Sequence, residues 1–359
     1  MWLFMWNRDS LTVDVVGKLS NNFGALRLLF AVLVILSHSP ELVDGNRSRE
    51  LLTRAFGTLS FGEFGVDGFF LISGYLITKS FLDSSSVGNF LVKRVLRIYP
   101  GYVVAFLLCI LAIGPFVGGQ LSTLSGLKLT KDLTFLRPPE MPGVFAGTYY
   151  PTLNGPMWTI TYEFRCYLLV LAFGIVGLLS KRILLAVLTV IALAISAFRP
   201  ELFQAGFGYH MDSVRFAGVF GCGALFYLYR DRIPYDGRLA ALSAVALFVL
   251  MFSSRLAEAA LSVLGGYLLF WSAFNLKSQS VAAIGHKVDI SYGVYLYAWP
   301  VQKLLIWFSP AISPWLLFID STAIAGFLAF GSWHLVEKPF LNLKAAFVPA
   351  VTTSGRNVL

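Results

Sequence analysis

Arg27 and His38 stand eleven residues apart in "LRLLFAVLVILSHSP", a run that is otherwise apolar. Eleven residues of helix make three turns plus about 20°, so both side chains project from one face, about 16 Å apart along the axis. An imidazole can take and return a proton near neutrality, which suits a general base. In an apolar helix such a residue is costly unless it faces a cavity or a partner, so it marks either a functional site or a packing hydrogen bond. The aligned arginine favours the first, with one polar channel running between the two.

Further along the chain come more residues able to do chemistry. In "VKRVLRIYPGY", Arg94 and Arg97 at i and i+3 share a helical side, where two guanidiniums beside Lys93 could grip phosphate oxygens. Plain topological flanking charge is the other reading. "PMWTITYEFRCYLLV" places Glu163 about two turns into a helix opened by Pro156. Glu163 either orients and supports His38 or pairs with a basic residue on another span, such as Arg215. In "GEFGVDGFFLISGYLITKSF", Ser73 and Gly74 either let an extended donor lie against backbone or simply permit close helix packing. Asp67 near the outer end of that stretch contacts either an acceptor hydroxyl or an outer basic residue. Tyr149 and Tyr150 could stack on a sugar, with Trp158 on the same side, or form an interfacial aromatic belt. Lys303 and Asp320 could pair between the last two apolar segments. No spacing of Cys109, Cys166 and Cys222 suits a metal or a disulfide, so no metal is expected.

These residues need a scaffold, and composition says which kind. Of 359 residues, 57% are hydrophobic and 13% charged, too few charges to cover a water-facing surface. The chain therefore reads as an all-α integral membrane protein. A span needs about 20 apolar residues. Ten segments qualify, at 23–43, 62–82, 98–118, 156–178, 182–198, 211–229, 236–253, 256–275, 289–309 and 313–334. The net charge of +9 lies in short clusters between these segments, so no nucleic-acid partner is inferred. Seventeen Lys and Arg fall on the side holding both termini and eight on the other, which puts both termini in the cytoplasm. Residues 1–22 then form a cytoplasmic segment, 23–340 the transmembrane domain and 341–359 a cytoplasmic tail, while a homo-oligomer is left open. The rival class is a polytopic transporter or flippase of a glycan or anionic solute, in which Gly265-Gly266 or Pro300 would break a helix. Against it stand the phosphate-suited arginine pair and the lack of an internal repeat.

Taken in order, the stretches resemble the acyltransferase 3 family of membrane-bound acyltransferases over roughly residues 20 to 345. The marks are Arg27-x10-His38, "GVDGFFLISGYLI", Arg94-x-x-Arg97, "MWTITYEFRCYLL", "ISYGVYLYAWPV" and "EKPF" at Glu337 to Phe340. Family members commonly carry a histidine in the "YLYAWP" stretch, where this chain has Ala298, so the chemistry is assigned to His38. The resemblance implies transfer of an acyl group, usually acetyl, from cytoplasmic acyl-CoA to a hydroxyl of a carbohydrate or glycolipid at the bacterial inner membrane. Arg94 and Arg97, with Arg27 at the mouth, would then hold the donor, and His38 with Glu163 would be catalytic.

Overall fold

The computed structural model describes residues 21–198, 208–276 and 278–344; the start of the expected N-terminal segment and most of the C-terminal tail lie outside this range. Among the described residues all regular structure is helical. A helix covers each of the ten apolar segments. In chain order the helices used below are α1 (Phe23–Asp44), α2 (Phe61–Leu82), α3 (Val87–Phe116), α4 (Trp158–Ile175), α5 (Arg182–Phe198), α6 (Gly208–Leu228), α7 (Gly237–Leu250), α8 (Ala257–Asn275), α9 (Ser291–Phe308) and α10 (Pro314–Asn342). α3, α8 and α10 each contain a π-helical turn.

Four of them, α1, α3, α8 and α10, are long and apolar enough to cross a bilayer, with 22, 30, 19 and 29 residues. α5 and α7 are apolar but shorter. Large apolar side chains face outward on these helices, among them Val190, Phe248, Phe327 and Leu335, as a lipid-facing surface requires. The third helix begins at Val87, eleven residues before the apolar run, because Ser86 accepts the Asn89 backbone N–H and caps the first turn. Arg94 and Arg97 therefore sit on the helix itself.

α2 opens with a capping box. Ser60 Oγ accepts the Glu63 backbone N–H at 3.2 Å while Glu63 Oε2 takes the Ser60 backbone N–H at 2.8 Å. α2 then runs antiparallel to α1: Gly62 lies beside Ser37, Gly65 beside Val34 and Phe30. α9 runs parallel to α1, with Asp289 just before its start at the level of Arg27 and Gln302 at the level of Ser39. On its other side α2 meets α6 at backbone distance. A methyl group on Gly74 would overlap the Phe220 carbonyl, and one on Gly223 the Leu71 carbonyl. Gly74 thus serves close helix packing against α6, one of the two readings that the sequence left open.

Candidate active site

α1 carries the site. Pro40 lies within it and cannot donate to the Leu36 carbonyl. Across this point Gln302 of α9 donates from Nε2 to the Ile35 carbonyl at 3.0 Å and to Ser39 Oγ at 2.9 Å, fixing the turn that bears His38. The His38 ring stands edge-on to Trp299, centroids 5.0 Å apart. Its Nδ1 lies 3.1 Å from Glu41 Oε2, three residues on along the same face. Glu41 is buried, and its second oxygen accepts from Arg47 Nε at 3.2 Å. Arg47 also lies 3.5 Å from Glu63. Burial draws the Arg47 pKa down, but Glu41 and Glu63 more than reverse this, so the guanidinium stays charged. With a carboxylate as its partner, Nδ1 carries the proton and Nε2 keeps a lone pair, the tautomer a general base needs.

The carboxylate at His38 is therefore Glu41, and the pairing of His38 with Glu163 is corrected. Glu163 Oε1 accepts from Ser73 Oγ and from Tyr167 OH, both at 2.7 Å. Glu163 lines a small cavity of about 40 Å³, together with Arg27, Val66, Phe69, Thr159, Tyr292 and Tyr295. Arg27, Glu163 and Tyr292 mark one end. Val66 and Thr159 mark the end nearer His38, since α2 runs antiparallel to α1. The lining stops at Tyr295, one helical turn before Trp299.

At the Arg27 end, Arg27 Nη1 and Arg97 Nη2 both lie 2.7 Å from Asp289 Oδ2. The other Asp289 oxygen accepts from Ser291 Oγ at 2.6 Å. Arg97 also approaches Glu337, at 3.9 Å. This corrects the reading of Arg94 and Arg97 as twin prongs, because Arg97 is committed to Asp289. Arg94 has a different setting: it donates to Ser80 Oγ at 3.2 Å, lies about 6 Å from the Phe90 and Tyr167 ring centres, and makes no ion pair within 4 Å among the described residues, with Glu163 near enough only for a longer-range attraction.

Asp67 is 0% exposed and accepts from Arg215 Nη2 at 2.9 Å. Arg215 Nε donates to Glu258 Oε2 at 2.7 Å. Asp67 thus meets a basic residue inside the α2–α6 interface, the second of the two readings that the sequence left open. Trp158 packs on Tyr162 and Phe216, apart from Tyr149 and Tyr150. Those two tyrosines do lie on the His38 side. Tyr150 is edge-on to Trp299 at 6.4 Å and donates to the Gly45 carbonyl at 3.2 Å, and the Tyr149 ring lies against Gly45. Burial and then Glu41 push the Tyr150 pKa above the usual phenol value, so its hydroxyl stays a donor. Lys303 bonds to Thr148 and to the Tyr149 carbonyl, and the pairing with Asp320 that the sequence left open does not form.

Glu41, Arg47, Asp289 and Trp299 are the residues that sequence reasoning missed. Only the first left a plain signal, the i,i+3 spacing of "HSPE".

Comparison with known proteins identifies the family. A family profile described as "Acyltransferase domain" matches residues 21–335. A protein named O-acetyl transferase, from Shigella phage Sf6, is 27% identical over 331 residues, 90% of this chain and 96% of the relative. Nodulation protein 10 of Rhizobium leguminosarum bv. viciae is 28% identical over 362 residues, 91% of this chain and 95% of its own. Acyltransferase MdmB of Streptomyces mycarofaciens is 35% identical over 114 residues, 30% of this chain and 27% of its own. No solved structure matches. On the extent of the profile match, the chain belongs to the acyltransferase 3 family of acyltransferases.

Proposed function

We propose that the chain is an integral membrane O-acyltransferase. It takes an acyl group, acetyl in the first instance, from cytoplasmic acyl-CoA. The receiver is a hydroxyl of an envelope carbohydrate or glycolipid such as O-antigen, exopolysaccharide or lipo-oligosaccharide. The reading has ten crossings, one for each apolar segment, in a bacterial inner membrane, and the excess of Lys and Arg on one side supports both termini inside. The observation that carries the reading is the His38–Glu41 pair at one end of a helix face whose other end bears Arg27.

In this reading the acceptor hydroxyl attacks the thioester carbonyl while His38 Nε2 takes its proton. The tetrahedral intermediate collapses, the C–S bond breaks, and the proton returns from the imidazolium to the departing CoA sulfur. Glu41, itself held by Arg47, stabilises the imidazolium and fixes the ring. The pantetheine arm enters from the Arg27 end and runs toward Tyr295 along the small cavity that Glu163 lines. Arg94, which makes no close ion pair among the described residues, holds a CoA phosphate, and Arg27 and Arg97 line the mouth beside Asp289. A site inside the membrane keeps bulk water from the thioester.

The test is to incubate the full chain, reconstituted in lipid vesicles, with labelled acetyl-CoA and envelope glycan. Label ester-linked to glycan with stoichiometric release of CoA is expected. Movement of glycan or solute across the vesicle with the thioester intact would instead identify a transporter.

A further inference from the structure

Lys303 lies in the middle of α9 with 0% exposure, and its polar partners among the described residues are a hydroxyl and a carbonyl, with no carboxylate to balance it. A buried ammonium is costly without a counter-charge. Its Nζ donates to Thr148 Oγ1 and to the Tyr149 carbonyl, each at 2.6 Å, and lies 5.0 Å from the centre of the Phe145 ring. These acceptors belong to residues 145–154, a strap that crosses the His38 end of α9.

Successive turns of α9 hold that strap in register. The Leu296 carbonyl accepts from Asn154 Nδ2 at 2.8 Å, Trp299 Nε1 donates to the Thr152 carbonyl at 3.3 Å, and Trp307 meets the Phe145 ring edge-on at 5.9 Å. Two strap residues, Phe145 and Tyr150, have φ of 52° and 50°, in the left-handed region that non-glycine residues rarely occupy. Such conformations persist only where surrounding contacts impose them. Lys303 supplies two of those contacts between the strained positions. Beyond them, Tyr150 reaches Trp299, the ring that also touches His38. Beside the strap, a cleft of about 340 Å³ opens between Thr148, Tyr149, Trp307, Leu42 and Val43. Leu42 lies one helical turn beyond His38.

We propose that Lys303 is a positioning residue for the acceptor. It clamps the strap so that Tyr150 walls the approach to His38 and the adjoining cleft receives the sugar ring next to the reacting hydroxyl. The inference rests on the acyl-transfer reading above.

Membranes from cells expressing the full chain, which hold their own glycan acceptor, are supplied with labelled acetyl-CoA. Rates are taken per folded protein. Lys303→Met is expected to lower kcat about tenfold or more while the KM for acetyl-CoA stays within about twofold, because the donor enters from the other end. The loss passes through the strap, so in a Tyr150→Ala background Lys303→Met should cost less than about twofold more. Amide exchange over residues 145–152 should quicken about tenfold in Lys303→Met. Full activity in Lys303→Met overturns the inference, and so do losses that multiply in the double variant. Should Lys303→Met fail to fold, Thr148→Val removes one acceptor from the surface side. It should lower kcat about threefold or more, and an unchanged rate overturns the inference equally. If the wild type incorporates no more label than His38→Ala, the acyl-transfer reading fails and this inference goes with it. Incorporation by wild type that is insensitive to Lys303 and Thr148 strikes the inference alone.

Discussion

Replacing Glu41 with glutamine separates the two carboxylates that sequence and structure offer to His38. Glu41 lies 3.1 Å from Nδ1, is buried, and is held from behind by Arg47 at 3.2 Å, so neither oxygen is free to turn to solvent. A hydrogen bond to a charged group contributes about 1.5–3 kcal/mol, and here the bond strengthens as the imidazole gains its proton in the transition state. That range corresponds to a fall in kcat of about 10- to 150-fold. The glutamine amide can also present its NH₂ to Nδ1 and hold the wrong tautomer, which pushes the effect toward the upper end. Steady-state transfer of labelled acetyl from acetyl-CoA to endogenous glycan in membranes gives kcat and the donor KM. Glu41→Gln should lower kcat with little change in KM. Glu163→Gln should chiefly raise the donor KM, because Glu163 lines the cavity and is bonded by Ser73 and Tyr167. The reverse pattern, an active Glu41→Gln beside a Glu163→Gln with its kcat abolished, would refute the assignment.

Three further outcomes follow from the packing. Arg94→Ala should raise the KM for acetyl-CoA about tenfold or more with the folded yield unchanged, read from donor titrations, since Arg94 holds no structural ion pair among the described residues. Asp289→Asn leaves Arg27 and Arg97 facing each other without their shared carboxylate, and thermal unfolding in detergent should show a loss of about 3 kcal/mol or somewhat less. Gly74→Val drives a side chain into the Phe220 carbonyl and should abolish the folded peak in gel filtration, whereas Gly57→Ala, where nothing lies within 4 Å, should cost only its left-handed backbone strain.

Much of this was readable before any coordinates. Helix positions follow from apolar length, which is why a helix lies over every segment that hydropathy selects. The common face of Arg27 and His38 follows from eleven residues of helical rotation. Partner choice was harder. Arg27 and Asp289 are 262 residues apart, and Glu163 takes Ser73 from a helix 90 residues earlier. Such pairs depend on how the helices pack, which no local spacing encodes. Glu41 was overlooked although it lies inside the expected 23–43 span: the Arg27–His38 spacing alone defined that face, whereas α1 continues through Pro40 to Asp44 and keeps Glu41 on the His38 face. Gly74 was ambiguous because a glycine serves ligand approach and helix approach equally well, and the carbonyl it meets lies in α6. The strap could not be foreseen at all, since Thr148 and Lys303 are linked only in three dimensions.

The most direct test of the account is acetyl transfer by His38→Ala, measured as ester-linked label on glycan together with CoA released, in lipid and per folded protein. General-base catalysis by His38 predicts a fall of about 100-fold to 10,000-fold, with insertion and acetyl-CoA binding retained. Transfer by His38→Ala at the wild-type rate would contradict it.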